Sequence, residues 1–416
     1  MTDLVFKLDG WDCGSLPKEL SVTYTKLLIR VGETTVSRIN DRGANSVSDT
    51  IYLPAYPLAA WIAANWWRLL YDCNNLRDNN EYEYTHNLKF AGEGYFLPDM
   101  LIAPDGANMA ALSWHPCVMN NEMLAFIETG CAHIGIGNLQ AALSSVVNAV
   151  VVRLRERGIS GTTLQQDWDA ICSSTSDKDE HAFCIACARL GKDPYDIDDA
   201  LAETIIDIHR RLDNKVHLEE ILSSTNGLRL REASETLCEL LNGGSQGSID
   251  ATLAELRDGC AKTISGTPWE TGYAQAKVAR QILNHHGMTV GDLRELTSAN
   301  THDADIPDSL LSLASPCGFI TGKSTNLSSF VLGRMLGAFI CSANKAMPIT
   351  EVYTAEQKRQ RAFSAELYVP GEELKRRFEH TSTIGEDTVI EIAEEYGINP
   401  LVVKHQLENH HIAKVV

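Results

Sequence analysis

The chain has no long hydrophobic run. Its most apolar windows, residues 58–71 and 139–152, are too short for a bilayer and carry Asn65, Arg68 and Asn148, so no membrane span is expected. The opening Met-Thr-Asp-Leu-Val-Phe-Lys-Leu-Asp-Gly has no apolar core of a secretory leader, which points to a cytoplasmic location. The 11 cysteines are scattered through 416 residues without framework spacing, which excludes a disulfide scaffold and suits reduced thiols. Positive charge is scarce: 36 Lys and Arg against 55 Asp and Glu leave a formal charge of −19. A broad nucleic-acid surface needs clustered cations to neutralise phosphates, so nucleic acid is not expected as a direct ligand. No internal repeat runs at a fixed period.

What remains is an ordinary globular composition, 44% apolar and 22% charged. The length favours two or three domains. The expected fold class is α+β in three parts. Residues 1–136 form an N-terminal mixed α/β domain with antiparallel strands. Residues 137–265 form a helical linker module. Residues 266–416 form a mainly helical C-terminal domain. In the first part, 4–8, 21–31 and 34–39 are rich in β-branched and aromatic residues, with turn signals between them. The strand at 21–31 is expected to be buried on much of both faces. Pro57 can open a helix, and Leu58, Ile62, Trp66 and Leu69 then lie on one apolar stripe. Trp61, Trp66 and Trp67 are expected to pack in the core, with a ligand groove as the alternative. Further strands are expected at 87–90, 100–103, 109–114 and 124–129. The middle part predicts helices at 139–157, 177–190, 196–211, 217–224, 228–241 and 249–262, punctuated by Gly191 and a glycine-serine run at 243–248.

Several groups could carry chemistry. His181-x-x-Cys184-x-x-Cys187 has suggestive spacing, but on a helix its members spread round the axis and read as packing. His285-His286 and His410-His411 are adjacent pairs whose rings point apart, so helix caps are expected. His115, Cys117, Cys131 and His133 could converge across two strands, and a Cys–His pair there would be the site of a nucleophilic enzyme. The Gly130-Cys-Ala-His-Ile-Gly-Ile-Gly137 segment lacks the Lys and Ser/Thr of a phosphate loop and reads as a strand-to-helix turn.

The densest signal lies between Phe330 and Pro370. Residues 330–340 read as a buried helix, and 361–370 as a second helix stopped by proline. Phe330, Leu332, Leu336 and Gly337 on the first, with Phe363, Ala365, Glu366, Leu367 and Pro370 on the second, resemble the ImmA/IrrE family of zinc metallopeptidases. In that family the first helix carries His-Glu-x-x-His and the second a ligand glutamate. The segment Pro57-Leu-Ala-Ala-Trp with Asn65-Trp-Trp-Arg68 also resembles an N-terminal extension of such proteins. The resemblance implies a zincin-like domain opened by a helix at 269–283 and followed by a small sheet, of which 317–321 would be a poor remnant. It also implies that the helix-turn-helix-like pair at 386–396 and 400–409 packs on that domain. Lys404, His405, Gln406 and Asn409 could otherwise face DNA, but glutamates surround them.

Laid on this frame, the first ligand position is Arg334, the general base Met335, the second ligand Ala338 and the third ligand Gln357. A guanidinium offers no lone pair to zinc, and Met and Ala supply neither base nor ligand. The zincin motif is therefore degenerate: no catalytic residue, metal or cofactor is expected at this vestigial cleft, and the chain is expected to be a pseudoenzyme. Arg334 is expected to pair with Glu356 or Glu366 and tie the two helices together. The implied role is non-catalytic and regulatory, through a protein partner such as a helix-turn-helix regulator or a complex subunit, in phage defence, mobile-element or stress regulation. The alternatives are an enzyme whose site lies at the Cys117 and Cys131 region, and a subunit of a defence or toxin–antitoxin complex.

Overall fold

Alternating burial, with a period of two, organises the first sheet. In the computed structural model, which describes residues 2–14, 17–73, 79–106, 108–119, 123–212, 215–224, 230–242, 250–299, 301–304, 312–315, 318–322, 328–341 and 347–416, β1 (Leu4–Asp12) is followed by the short helix α1 (Lys18–Val22) and β2 (Tyr24–Val31). The two strands pair antiparallel, with Leu4 opposite Val31. Thr25, Leu27, Ile29 and Val31 of β2 point into the core while Lys26 and Arg30 face outward. The expectation of burial on both faces is thus corrected: the period of two separates the cations cleanly from the core. Ser21 and Val22 belong to α1 rather than to the strand.

Short strands follow: β3 (Thr34–Thr35), β4 (Ile39–Asp41), β5 (Ser46–Ser48) and β6 (Ile51–Pro54). The helix stripe beginning at Pro57 is broken into α2 (Tyr56–Ala64) and α3 (Trp66–Tyr71). Asn65 caps the break, its side-chain amide donating to the Trp61 carbonyl at 2.9 Å. α4 (Asn79–His86) leads to residues 87–90, which are not the expected strand. Residues 88–90 form a 3₁₀ turn capped by the Asn87 side chain, which accepts from the Lys89 amide at 3.1 Å, and Asn87 itself makes a single antiparallel bridge to Leu101. Then come β7 (Asp99–Pro104), β8 (Met109–His115), β9 (Cys117–Val118), β10 (Leu124–Phe126) and β11 (Gly130–Gly135). All pairings in this part are antiparallel, in sheets ordered β1-β2-β3 with β6 on β2, β5-β4-β10-β9, and β11-β8-β7.

Helices α5 (Ile136–Glu156), α6 (Thr163–Ser176) and α7 (Lys178–Arg189) complete this part. One core runs from Leu4 through Trp66 and Leu112 to Val147, Trp168 and Cys184. Helix α6, without a counterpart among the expected helices, starts with a capping box of Thr162 and Gln165.

The chain divides into two compact units, Met1–Asp207 and Ile208–Val416. The division falls inside α8 (Asp199–Arg211). The second unit continues with α9 (Lys215–Ser224), α10 (Leu230–Asn242), α11 (Ala251–Cys260), α12 (Pro268–His285) and α13 (Val290–Ala299). The glycine-serine run at 243–248 lies outside the described residues, as does Cys317. Strands β12 (Thr301–Ala304), β13 (Ser312–Ser315) and β14 (Gly318–Gly322) precede α14 (Ser329–Cys341), β15 (Met347–Ile349) and α15 (Ala355–Tyr368). The segment expected as a poor sheet remnant is a central strand, in a four-stranded sheet ordered β12-β14-β13-β15. Its neighbours Thr-His-Asp-Ala and Ser-Leu-Ala-Ser have little β-propensity, so only their pairing reveals them. The chain ends with α16 (Gly371–Arg377), β16 (Thr383–Ile384), α17 (Glu386–Tyr396), α18 (Pro400–Asn409) and β17 (Lys414–Val415). The molecule is thus α+β, with antiparallel sheets in its N-terminal part and a largely helical C-terminal region. No described helix is long and apolar enough to cross a membrane.

Candidate functional site

Helix α15 is gripped from two sides by helices that approach it on glycine. A Cβ on Gly272 of α12 would strike the backbone carbonyl of Arg359. On α14, a Cβ on Gly333 would strike the Ser364 hydroxyl, and one on Gly337 would lie 3.0 Å from the Phe363 ring. This close approach brings polar side chains of α14 and α15 together in a fully buried space.

Two of the four positions singled out in the sequence, Arg334 and Gln357, meet there. Arg334, 2% exposed, donates to the Gln357 side-chain oxygen at 2.8 Å and to the Thr350 carbonyl. The same Gln357 oxygen accepts from the Thr350 amide at 3.0 Å. The Gln357 amide donates to the Pro348 carbonyl at 2.9 Å and to Glu220 at 2.8 Å. Met335 and Ala338 are buried in the apolar core of the second unit instead. On α14, Arg334 thus makes guanidinium contacts while Met335 and Ala338 fill the core.

Glu220, on α9, was not legible as a member of this group. Thr350 donates its hydroxyl to Glu220 at 3.1 Å, and Thr354 donates to its other oxygen. Burial first, then Glu219 and Glu356, push the Glu220 carboxyl up to about 8 against the pull of these donors. Burial, then the nearby Arg361, pulls Arg334 down to about 9, so it stays cationic at neutral pH. Arg361 spends its donors on the carbonyls of Val352 and Glu351, at 2.7 Å each. Both guanidiniums thus clasp the loop between β15 and α15. Arg334 Nε, Gln360 Oε1 and the Ser312 hydroxyl remain buried without a hydrogen-bond partner among the described residues. Chemically the cluster is a charge-bearing, hydrogen-bonded clasp. Its donors are two guanidiniums, two amides and two hydroxyls, and its acids are the buried Glu220 and the exposed Glu351, 3.6 Å from Arg334, which together are too few to make a metal ligand set.

The expected partners of Arg334 are engaged elsewhere, which corrects that pairing. Glu356 pairs with Arg359 one turn along α15. Glu366 points to the opposite side, where it accepts from the Gly371 amide at 3.1 Å, from Gln406 at 3.0 Å and lies 3.1 Å from His410 Nε2. Gln406 also donates to the Val369 carbonyl at 2.8 Å. Helix α18 is thereby packed on α15, and Gln406, considered above as a DNA contact, is buried. Gly397 ends α17 at φ 62°, the left-handed position the sequence implied.

The remaining candidates scatter. His115, Cys131 and His133 lie on one outward face of the β8–β11 pair, since Cys131 sits opposite Ser113, two residues before His115. Cys117 stands in a different sheet, on β9. His133 pairs with Asp105 at 3.5 Å. Cys184 and Cys187 are buried, and burial pushes their thiols up to about 11 and about 12, far from a reactive thiolate. His181 lies against the Trp67 ring, with centroids 5.5 Å apart. His286 pairs with Glu255 at 2.8 Å. Among the described residues no three or more His, Cys, Asp or Glu side chains gather as a metal site. The segment at 130–137 is a strand running into α5 through Gly135, as its sequence implied. Trp66 is a core residue in edge contact with Trp168, and Trp61 donates to the Tyr84 carbonyl at 3.1 Å. Trp67 is buried in the same core and lines a cavity on one side. In comparisons with protein families and with curated proteins, no family model and no curated relative matches the chain.

Proposed function

We propose that this chain is a non-catalytic, ImmA/IrrE-like regulatory or partner-binding protein, whose paired helices serve as an architectural core. The observation that carries this reading is the bond between Arg334 and Gln357, the first and third ligand positions of the peptidase frame, 2.8 Å apart in the interior. A guanidinium at the first position and an amide at the third hold each other, with Glu220 behind them, where a peptidase would keep donors for zinc and room for a water. The scaffold then supports surfaces for a protein partner, a helix-turn-helix regulator or a complex subunit, in phage, mobile-element or stress regulation inside the cytoplasm.

The full chain, incubated with zinc, desalted and subjected to elemental analysis, is expected to retain far less than one metal per chain. Native co-purification with cross-linking mass spectrometry is expected to recover a stoichiometric protein partner. Stoichiometric zinc, lost together with peptidase activity in Arg334→Ala, would overturn the reading.

A further inference from the structure

We propose that a cavity in the first unit, between α2, α3, α6 and the loop after α7, binds an organic cation: an ammonium or guanidinium group on a short apolar stem. The cavity measures about 380 Å³, enough for such a group with its methylenes. Ala63, Ile171 and Pro194 give it an apolar floor, Trp67 and Tyr195 an aromatic wall, and Asp167 and Asp193 a pair of carboxylates.

The carboxylates come from separate elements, α6 and the loop, and face the same space. Asp193 accepts the Tyr195 amide at 3.0 Å, whereas the Asp167 carboxylate has neither ion pair nor hydrogen bond among the described residues. Burial, then Asp193, pushes the Asp167 carboxyl up, the sign of negative charge held close without a counterion. The one cation on the lining, Arg68, is already balanced by Asp72 at 3.4 Å and Glu81 at 3.3 Å. The Tyr195 ring is fixed by its hydroxyl, which accepts from the Trp67 indole and donates to Ser174, both at 3.2 Å. A pre-set aromatic face beside two carboxylates is the arrangement that attracts alkylammonium and guanidinium groups. A divalent metal is a poor fit, because hard cations want about six oxygen ligands and this floor is hydrocarbon. The site owes nothing to the helix clasp of the second unit, so it stands or falls separately from the proposed function.

Two sources share this chemistry, a free amine and a Lys or Arg side chain on a protein. The full chain is titrated calorimetrically with agmatine, with N-acetyl-arginine methylamide and with the neutral N-acetyl-norleucine methylamide. Binding of one or both cations is expected, weakened at least about fivefold in Asp167→Asn and in Asp193→Asn, and weakened by salt. The neutral probe is expected not to bind. Preference for agmatine identifies a free amine as ligand, and preference for the blocked arginine a protein side chain. The proposal is overturned if neither cation binds at about 10 mM, a concentration that detects even millimolar sites. It is equally overturned if the neutral probe binds as well, or if both natively folded variants bind like the wild type.

Discussion

At the scale of single residues, Glu220 has the largest consequence. Its carboxyl ordinarily titrates at 4.5, and burial raises it to about 8 in the folded chain. Between those values the folded chain holds a proton that the unfolded chain has released. Its contribution is therefore complete below about 4.5, is lost as pH rises towards about 8, and changes no further above that. Arg334, cationic until about 9, does not titrate in this window. Glu220→Gln keeps the shape and can accept from Thr350 and Gln357 while its NH2 donates to a turned Thr354 hydroxyl, but it cannot ionise. Urea denaturation at several pH values between 5 and 8 is expected to show the wild type losing stability relative to the variant as pH rises. Equal slopes in the two proteins would show that another group carries the dependence.

At the scale of elements, the two helix contacts on α15 depend on missing side chains. Gly272→Ala places a methyl against the Arg359 carbonyl, a backbone atom that cannot rotate away. Gly333→Ala meets the Ser364 hydroxyl, which can turn at the cost of its 2.8 Å bond to the Phe330 carbonyl, and the Tyr368 ring at 2.8 Å. Overpacking of this kind costs about 1–3 kcal/mol, more than the roughly 1 kcal/mol that alanine gains over glycine in a helix. Both variants are expected to lose stability in urea, with Gly272→Ala losing more. Gly137 of α5 is the control: nothing lies within 4 Å of its built Cβ, so Gly137→Ala is expected to stabilise. A destabilised Gly137→Ala with a neutral Gly272→Ala would reverse this account of the packing.

At the scale of the whole molecule, the two units hold separate cores, one built from Leu4 to Ala188 and the other from Leu253 to Ala413. Six of the seven tryptophans, Trp11, Trp61, Trp66, Trp67, Trp114 and Trp168, lie in the first unit, and Trp269 alone lies in the second. Tryptophan fluorescence therefore reports chiefly on one core, while far-ultraviolet circular dichroism reports on both. Thermal unfolding curves from the two probes are expected not to coincide, since two cores seldom melt as one two-state system. Superimposable curves and equal calorimetric and van't Hoff enthalpies would show a single cooperative unit.

Much of this molecule was determined by local sequence. Pro57 at the start of α2, the Gly397 stop of α17 and most helices of residues 137–265 follow from periodicity, caps and breakers, which act over a few residues. That Arg334, Met335 and Ala338 offer a metal neither a ligand nor a base follows equally from sequence, because a side chain's donor set is fixed by its type. Only the tertiary structure decided whom these residues meet. Glu220 stands 137 positions from Gln357, and nothing in its own helix announces that it is drawn into the interior by two threonines and an amide. The sheet of β12 to β15 was hidden for the same reason: its strands are short and weakly patterned, and their stability comes from pairing partners distant in the chain. The stretch from Phe330 to Pro370 carried its apolar frame in its sequence, whereas the polar clasp inside it exists only once α9, α14 and α15 are brought together.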